Sequence, residues 1–251
     1  MTAPVMPGAE PASFPGGPDG VLVLHGFTGN PQSMRGLAEA FARGGYTVDL
    51  PLLPGHGTSV EDMVPTRWSD WSAAAEAAYT ELAARCERVA VAGLSMGGTL
   101  VAWLAEHHPE IVALVAINAA VEAPDESLLQ GIDAMLADGT EIMPGIGSDI
   151  ANPEVREMAY EGTPVAAVRS LFGAVKDVQA GLGSITCPVL IFTSTQDHVV
   201  QPSAGDVLAS SVAGPVERVT LERSFHVATL DYDAEEIERR SVEFLDKVLA
   251  R

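Results

Sequence analysis

The sequence predicts an α/β fold in which a mainly parallel sheet is covered by helices on both faces. Short, continuously apolar runs alternate with helical segments along most of the 251 residues, a pattern typical of strands that are buried on both sides. The central example is residues 88–103, RVAVAGLSMGGTLVAW, which read as a buried strand, a sharp turn and an alanine- and leucine-rich helix. One large domain accounts for this length.

The elements follow in order from residue 20. The predicted strands, which give a sheet of about six or seven strands, are residues 20–24, 46–50, 89–92, 111–117, 188–192 and 216–221. The predicted helices are residues 31–43, 66–85, 99–107, 203–211 and 234–249. The aromatic residues Trp68, Trp71 and Tyr79 of the second helix are interpreted as core packing, with ligand contact as the alternative.

Residues 121–184 interrupt the alternation of strands and helices. Because apolar residues recur there at helical spacings, we interpret this stretch as a small inserted cap rather than a disordered linker. The core of the fold then comprises residues 21–120 and 185–251. The proline- and glycine-rich residues 1–20 are expected to form a flexible N-terminal arm.

Composition argues against several classes of partner. The net charge of −20 repels nucleic acid and anionic lipid headgroups, and we interpret it as solubility or high-salt adaptation. No apolar run approaches membrane-spanning length, and the first residues lack the features of a signal peptide. Cys86 and Cys187 are too few for a disulfide framework or a zinc site. We expect a cytoplasmic monomer or homodimer, without stable membrane insertion, that acts on a small molecule.

The turn in the central stretch marks a candidate nucleophile. Gly93, Ser95 and Gly97 form a G-x-S-x-G motif between a strand and a helix, the context that such a motif requires. The glycines let strand and helix approach closely, and the serine hydroxyl is held at the apex near a helix N-terminus. The motif alone is weak, and an incidental loop serine is the alternative.

A serine needs a base, and the base needs an orienting acid. Asp197 and His226 each follow a predicted strand at the sheet edge where Ser95 emerges, and this chain order is the expected one. A helix-capping aspartate and a packed loop histidine are the alternatives. His198 projects the other way and is interpreted as peripheral. Rival acids close to the base in sequence are Glu222, Asp231 and Asp233.

The reaction also needs N–H donors for the developing oxyanion. We expect one from the backbone of Met96, directly after the nucleophile, and one from Phe27, in the loop after the first strand. Gly26 and Gly29 permit the tight path of that loop. His25 is expected to brace the loop by hydrogen bonds rather than to transfer protons.

These stretches together resemble the α/β-hydrolases, and more narrowly the bacterial carboxylesterases and monoacylglycerol lipases with a small cap. The matching stretches, from residue 21 to residue 231, are VLVLHGFTGNP, LPGHG, DW, VAVAGLSMGG, ITCPVLIFTSTQDHVV and SFHVATLD. The resemblance implies the same roles for Ser95, Asp197, His226, Phe27 and Met96. Its single His-Gly pair in the oxyanion loop goes with medium and long acyl chains. Phe225 departs from the family, which has a small residue there, and the first antiparallel hairpin is expected to be missing or shortened.

The sequence therefore predicts a serine carboxylic-ester hydrolase that forms an acyl-enzyme. We expect a small-molecule ester with an apolar acyl chain, monoacylglycerol-like, bound between the sheet edge and the cap by residues such as Ile142, Ile146 and Val199. No metal or organic cofactor is expected. A thioesterase, amidase or acyltransferase would use the same three residues, and a ligand-binding protein without turnover is the alternative from another class.

Overall fold

A computed structural model of the protein describes residues 3–250. The strands are β1 (Ala12–Phe14), β2 (Asp19–Leu24), β3 (Thr47–Leu50), β4 (Arg88–Leu94), β5 (Leu114–Ile117), β6 (Ile142–Pro144), β7 (Gly162–Pro164), β8 (Val189–Ser194) and β9 (Val216–Leu221). The α-helices are α1 (Arg35–Arg43), α2 (Val60–Met63), α3 (Trp68–Ala83), α4 (Met96–His107), α5 (Glu126–Ala137), α6 (Val165–Gly181), α7 (Ser203–Ser211) and α8 (Ala234–Val248). Short 3₁₀ turns lie at Pro31–Met34, Leu182–Ser184 and Ala228–Leu230.

Seven strands form one sheet in the order β1-β3-β2-β4-β5-β8-β9. All neighbours in it are parallel except β1 and β3, so the predicted mainly parallel sheet is confirmed. The antiparallel edge consists of the three-residue β1 alone, which agrees with a shortened first hairpin. Strand β4 is central, and β8 and β9 lie on one side of it. Ligands of such open sheets bind at the carboxyl ends of the strands.

The structure corrects the prediction of a flexible arm at residues 1–20. Within it, β1 pairs with β3, and β2 already begins at Asp19. Ala9 is fully buried, and the N–H of Met6 donates to the carbonyl of Gly57 at 2.8 Å. Met1 and Thr2 lie outside the described residues. The many prolines and glycines form turns between residues that are held by hydrogen bonds or burial. Composition alone does not distinguish such a segment from a flexible arm.

Two hydrophobic layers flank the sheet, and β2 illustrates how the chain divides between them. Leu22 and Leu24 belong to the layer under α3, α4 and α6, whereas Val21 and Val23 belong to the layer under α1 and α8. This alternation follows from the period of two in a strand. Trp71 is fully buried, and with Tyr79 it contributes to the first layer, so the interpretation as core residues is confirmed for these two. Trp68 is partly buried and packs against the same layer.

The predicted cap segment, residues 121–184, contains α5, the two-stranded β6–β7 ladder and α6. Its first part has few buried residues, and Ile132 is the buried residue of α5. Helix α6 differs, because Ala167, Leu171 and Val175 belong to the layer under α3 and α4. The structure therefore groups α6 with the core, although the sequence analysis assigned it to the cap.

No helix within residues 3–250 is long and apolar enough to cross a membrane.

Candidate active site

Ser95 occupies the tip of a tight turn between β4 and α4. Its backbone has φ +56° and ψ −118°, a conformation that costs free energy in a non-glycine residue. A Cβ atom on Gly93 would lie 2.2 Å from the carbonyl oxygen of Gly97, and one on Gly97 would lie 2.2 Å from that of Leu24. No side chain fits at either position. The spacing of the two glycines is therefore a steric requirement of the turn that projects Ser95.

The two expected oxyanion donors lie beside this turn. Met96 is the first residue of α4, so its N–H has no acceptor within the helix. Phe27 lines the same cavity as Ser95, and a Cβ on Gly26 would lie 3.4 Å from the Cβ of Ser95. The loop that carries Phe27 thus passes directly against the serine. Thr28 in this loop also has a positive φ, +61°.

His25 braces this loop, as the sequence analysis predicts. Its Nδ1 lies 3.0 Å from the carbonyl oxygen of Gly26, and its Nε2 accepts the N–H of Leu53 at 3.1 Å. Burial, together with the neighbouring His56, lowers the pKa of His25 to about 3. Burial also lowers the pKa of His56 to about 4. Both rings are therefore neutral near pH 7, and His25 is a fixed donor and acceptor within the core.

Asp197 and His226 form a buried pair at the end of the sheet. Nδ1 of His226 lies 2.8 Å from Oδ2 of Asp197, and the two side chains are 8% and 2% exposed. Oδ1 of Asp197 accepts the backbone N–H groups of Val199 and Val200, each at 2.8 Å. The aspartate therefore does both things that its sequence position allowed: it orders its own loop and it contacts the histidine. The pairing leaves Nε2 of His226 for another partner.

The rival acids are engaged elsewhere. Asp233 pairs with Arg223 at 2.8 Å, and Asp231 accepts the backbone N–H of Phe225 at 2.9 Å. Glu222 is exposed. The choice of Asp197 as the partner of the His226 ring is thus the one that the geometry favours.

A buried amide supports the loop that carries His226, and the sequence analysis did not single it out. The side chain of Asn118, at the end of β5, donates to the carbonyl oxygen of His226 at 2.8 Å and to Oγ of Ser194 at 2.9 Å. Ser194 in turn donates to the carbonyl oxygen of Phe225 at 2.9 Å. Asn118 follows a fully apolar strand and has a positive φ, +43°, which is uncommon for a non-glycine residue. That signal is a backbone angle, so the sequence alone does not contain it.

The departure from the family at Phe225 also has a structural explanation. Its ring packs edge-on against His198, with centroids 4.6 Å apart. His198 has an exposed side chain and contacts Asp149 rather than a sheet element. The bulky residue before His226 thus fills the space beside the loop of Asp197, and the imidazole of His226 keeps its contact with that acid.

Ser95 and His226 line one cavity of about 300 Å³ that lies between the sheet edge and the predicted cap segment. Its lining is mostly apolar and includes Leu128, Ile132, Met143, Ile146, Phe172 and Val199. Ile146 and Val199 were predicted from the sequence to contact substrate, and both line the cavity. Ile142 does not. It neighbours Met143 in β6, and successive side chains of a strand point to opposite sides, so Met143 takes the place that was expected for Ile142.

Two carboxylates in the cavity were missed by the sequence analysis, Asp149 and Glu157. The carboxyl group of Glu157 lies over the oxyanion loop, where a Cβ on Gly29 would be 2.6 Å from its Oε1. Burial raises the pKa of Glu157 to about 7, and the proximity of His226 opposes that rise. Both acids sit in an irregular loop with no motif, so only the folded chain brings them to the site.

Comparison with known proteins agrees with this architecture. Residues 18–233 match the family described as serine aminopeptidase, S33 (Hydrolase_4). This match spans most of the chain. The chain belongs to this family of α/β-hydrolases. It is a hydrolase with the α/β-hydrolase fold that its motifs predicted.

Individual relatives are lipolytic enzymes and esterases. The chain is 50% identical over 248 residues to a thermostable monoacylglycerol lipase of Bacillus sp. (strain H-257), with 97% of each chain covered. It is 29% identical to a carboxylesterase of Bacillus subtilis (strain 168), covering 95% of this chain and 97% of that protein. A solved structure from work on LipS and LipT, two metagenome-derived lipolytic enzymes, is 45% identical, with a TM-score of 0.93 over 97% of this chain and 100% of that one.

Proposed function

We propose that this α/β-hydrolase cleaves carboxylic esters through an acyl-enzyme on Ser95, with His226 as the base, Asp197 as its orienting acid, and Phe27 and Met96 as oxyanion donors. The observation that carries the proposal is the buried contact of Nδ1 of His226 with Asp197 at 2.8 Å, in the cavity that Ser95 lines. It leaves Nε2 to take the serine proton.

The first half-reaction forms the acyl-enzyme. Oγ of Ser95 bonds to the ester carbonyl carbon while its proton passes to Nε2 of His226. The carbonyl oxygen becomes an anion held by the N–H groups of Phe27 and Met96, and each such donor contributes about 3–4 kcal/mol to catalysis. Collapse of this intermediate breaks the bond to the leaving alcohol, which takes the proton from Nε2. Asp197 stabilises the imidazolium throughout without accepting its proton.

The second half-reaction releases the acid. A water molecule gives a proton to Nε2 and bonds to the acyl carbon, and the oxyanion again lies at Phe27 and Met96. Collapse breaks the bond to Oγ, which regains its proton from His226, and the free carboxylic acid leaves. Only neutral imidazole can accept the proton that begins either half-reaction.

The substrate class follows from the cavity and the relatives. Its apolar lining suits a medium or long acyl chain, and the half-identical Bacillus protein is a monoacylglycerol lipase. Glu157 is a polar group that lines the same cavity near His226, and we infer that its carboxyl group can hydrogen-bond a hydroxyl of the leaving alcohol, which favours an alcohol such as glycerol. In this proposal, the part of residues 121–184 that precedes α6 acts as a cap over the acyl chain, and α6 belongs to the core.

The test is hydrolysis of monoacylglycerols and of p-nitrophenyl esters of graded chain length by the wild type and Ser95→Ala. We expect Ser95→Ala to lose at least about 10⁴-fold in kcat and the exposed control Ser210→Ala to keep wild-type rates. Amino-acid p-nitroanilides, the substrates of an aminopeptidase, should be cleaved far more slowly than the esters.

Equal rates in the wild type and Ser95→Ala would refute the proposal. The cytoplasmic location and the monomeric or homodimeric state stay predictions of the sequence, and light scattering in solution would test the second of them.

A further inference from the structure

Asp149, in the loop between β6 and β7, reaches both loops that carry the proposed acid and base. Its Oδ1 lies 2.8 Å from Nδ1 of His198, the neighbour of Asp197 in the chain. Its Oδ2 accepts the backbone N–H groups of His198 at 3.2 Å and of His226 at 3.1 Å. Its side chain is only 12% exposed. One carboxylate of the predicted cap segment therefore joins two loops that are far apart in sequence.

The backbone around Asp149 is fixed by separate hydrogen bonds. Its carbonyl oxygen accepts the N–H of Val227 at 3.1 Å. Two residues further on, the N–H of Ala151 donates to Asp231 at 2.7 Å, and the same carboxylate accepts the N–H of Phe225 at 2.9 Å. Asp149 and Asp231 thus tie the loop between β6 and β7 to the loop of His226 in opposite directions. The backbone hydrogen bonds therefore fix the position of Asp149 independently of the bonds that its side chain makes.

The donors that Asp149 satisfies lie in irregular loops, outside any helix or sheet ladder. The N–H of His226 is partly buried and needs an acceptor, and hydrogen bonds to a carboxylate are stronger than those to a neutral oxygen. Asp149 also lines the cavity with Ser95 and His226, so its bonds form at the site and not on a remote surface. A carboxylate placed there fixes how the base-bearing loop stands relative to the acid-bearing loop.

We propose that Asp149 is a positioning residue that holds the loop of His226 against the loop of Asp197 and thereby aligns the imidazole with Ser95. The inference rests on the proposed function, since alignment matters only if His226 is the base. A displacement of about 1 Å in a catalytic group can cost about 100-fold in rate. Asp149 therefore acts on the chemical step through His226 and not on the affinity for substrate.

Two substitutions test whether the hydrogen bonds of Asp149, rather than its negative charge alone, position His226. Asp149→Ala removes every side-chain bond. Asp149→Asn retains an oxygen that can accept both backbone N–H groups, while its amide faces Nδ1 of His198. We expect Asp149→Ala to lose about tenfold to a hundredfold in kcat, with KM for a p-nitrophenyl ester unchanged within about twofold, and Asp149→Asn to recover most of that loss. Glu154→Ala, an exposed carboxylate of the same loop, should keep wild-type kinetics.

A second readout excludes a loss of folded protein as the cause. We expect a p-nitrophenyl alkylphosphonate to phosphonylate Oγ of Ser95 with release of p-nitrophenolate, a reaction that needs the base and no glycerol group. The rate constant per titrated site should fall in Asp149→Ala by the same factor as kcat, and Asp149→Ser serves in its place if the alanine variant does not fold.

An unchanged kcat per titrated site, or a rise in KM with kcat preserved, would overturn the inference, because Asp149 would then be structural or a substrate contact. Failure of Asp149→Asn to recover the rate would overturn it as well. A wild-type enzyme that the phosphonate does not label at Ser95 contradicts the proposed function itself, whereas normal labelling with normal rates in Asp149→Ala contradicts only this inference.

Discussion

The serine turn and the predicted cap segment meet at one cavity but are constrained in different ways. At the turn, a Cβ atom on Gly93 or Gly97 would collide with backbone at 2.2 Å. In the cap segment, a Cβ on Gly131 or Gly139 would meet nothing within 4 Å. Close packing in the first region leaves one geometry for the reacting groups, whereas the second region has room to vary. We therefore expect the turn to determine the chemistry and the segment above it to determine the fit of the substrate.

The largest contrast is expected between two histidines near the site. His226→Ala removes the proposed base and should lower kcat by at least about 10⁴-fold. His198→Ala removes one contact to Asp149 and keeps the backbone N–H bond, so kcat should fall by less than about fivefold. Steady-state kinetics on p-nitrophenyl esters measures both. Comparable losses in the two variants would mean that the base is assigned to the wrong residue.

Two glycine substitutions test the difference in packing directly. Gly97→Ala should lower the free energy of unfolding by about 3 kcal/mol or more, because its Cβ cannot be accommodated against Leu24. Gly131→Ala, in the open interior of α5, should raise it by up to about 1 kcal/mol. Urea denaturation followed by circular dichroism gives both values. A Gly97→Ala protein as stable as the wild type would show that the turn is not close-packed.

A matched pair of isoleucines tests the assignment of the cavity wall. Ile146 lines the cavity and is 68% exposed, so Ile146→Ser should raise KM for long-chain esters about threefold with little effect on stability. Ile142 packs away from the cavity beside Gly162. Ile142→Ser should therefore leave KM unchanged and lower stability by about 1 kcal/mol. KM measured across a series of acyl-chain lengths distinguishes the two variants. The opposite pattern would show that Ile142, and not Met143, faces the cavity.

The last expected effect is a dependence of stability on pH. Glu157 has a pKa raised from 4.5 to about 7 in the folded protein, so the folded state binds more protons than the unfolded state between these values. Its contribution to stability is then lost as pH rises through that window. Relative to Glu157→Gln, the wild type should become less stable from pH 5 to pH 8 in urea titrations. The exposed Glu154 offers the control, because Glu154→Gln should show no such trend.

The sequence predicted what local physics determines. The apolar strands, the glycine pair around Ser95 and the order of Ser95, Asp197 and His226 are set by steric and chemical requirements that act over a few residues. The placement of the acid and base after β8 and β9 followed from the shared carboxyl edge of a parallel sheet. The fold could therefore be predicted with only the N-terminal segment and the extent of the cap corrected.

What the sequence did not predict depends on tertiary contacts. Asn118, Asp149 and Glu157 reach the site from loops whose local patterns resemble any polar turn. The facing of Ile142 depends on how a three-residue strand pairs with its neighbour, and a shift of one residue reverses every side chain. Such residues become visible only when the chain is folded.

The most direct test of the account is the reaction of the protein with a p-nitrophenyl alkylphosphonate, followed by identification of the modified residue by mass spectrometry. We expect one adduct per chain, on Ser95, and a loss of at least about 10³-fold in the labelling rate in His226→Ala. An adduct on another residue, or an unchanged labelling rate in His226→Ala, would contradict the proposal that this imidazole activates this serine.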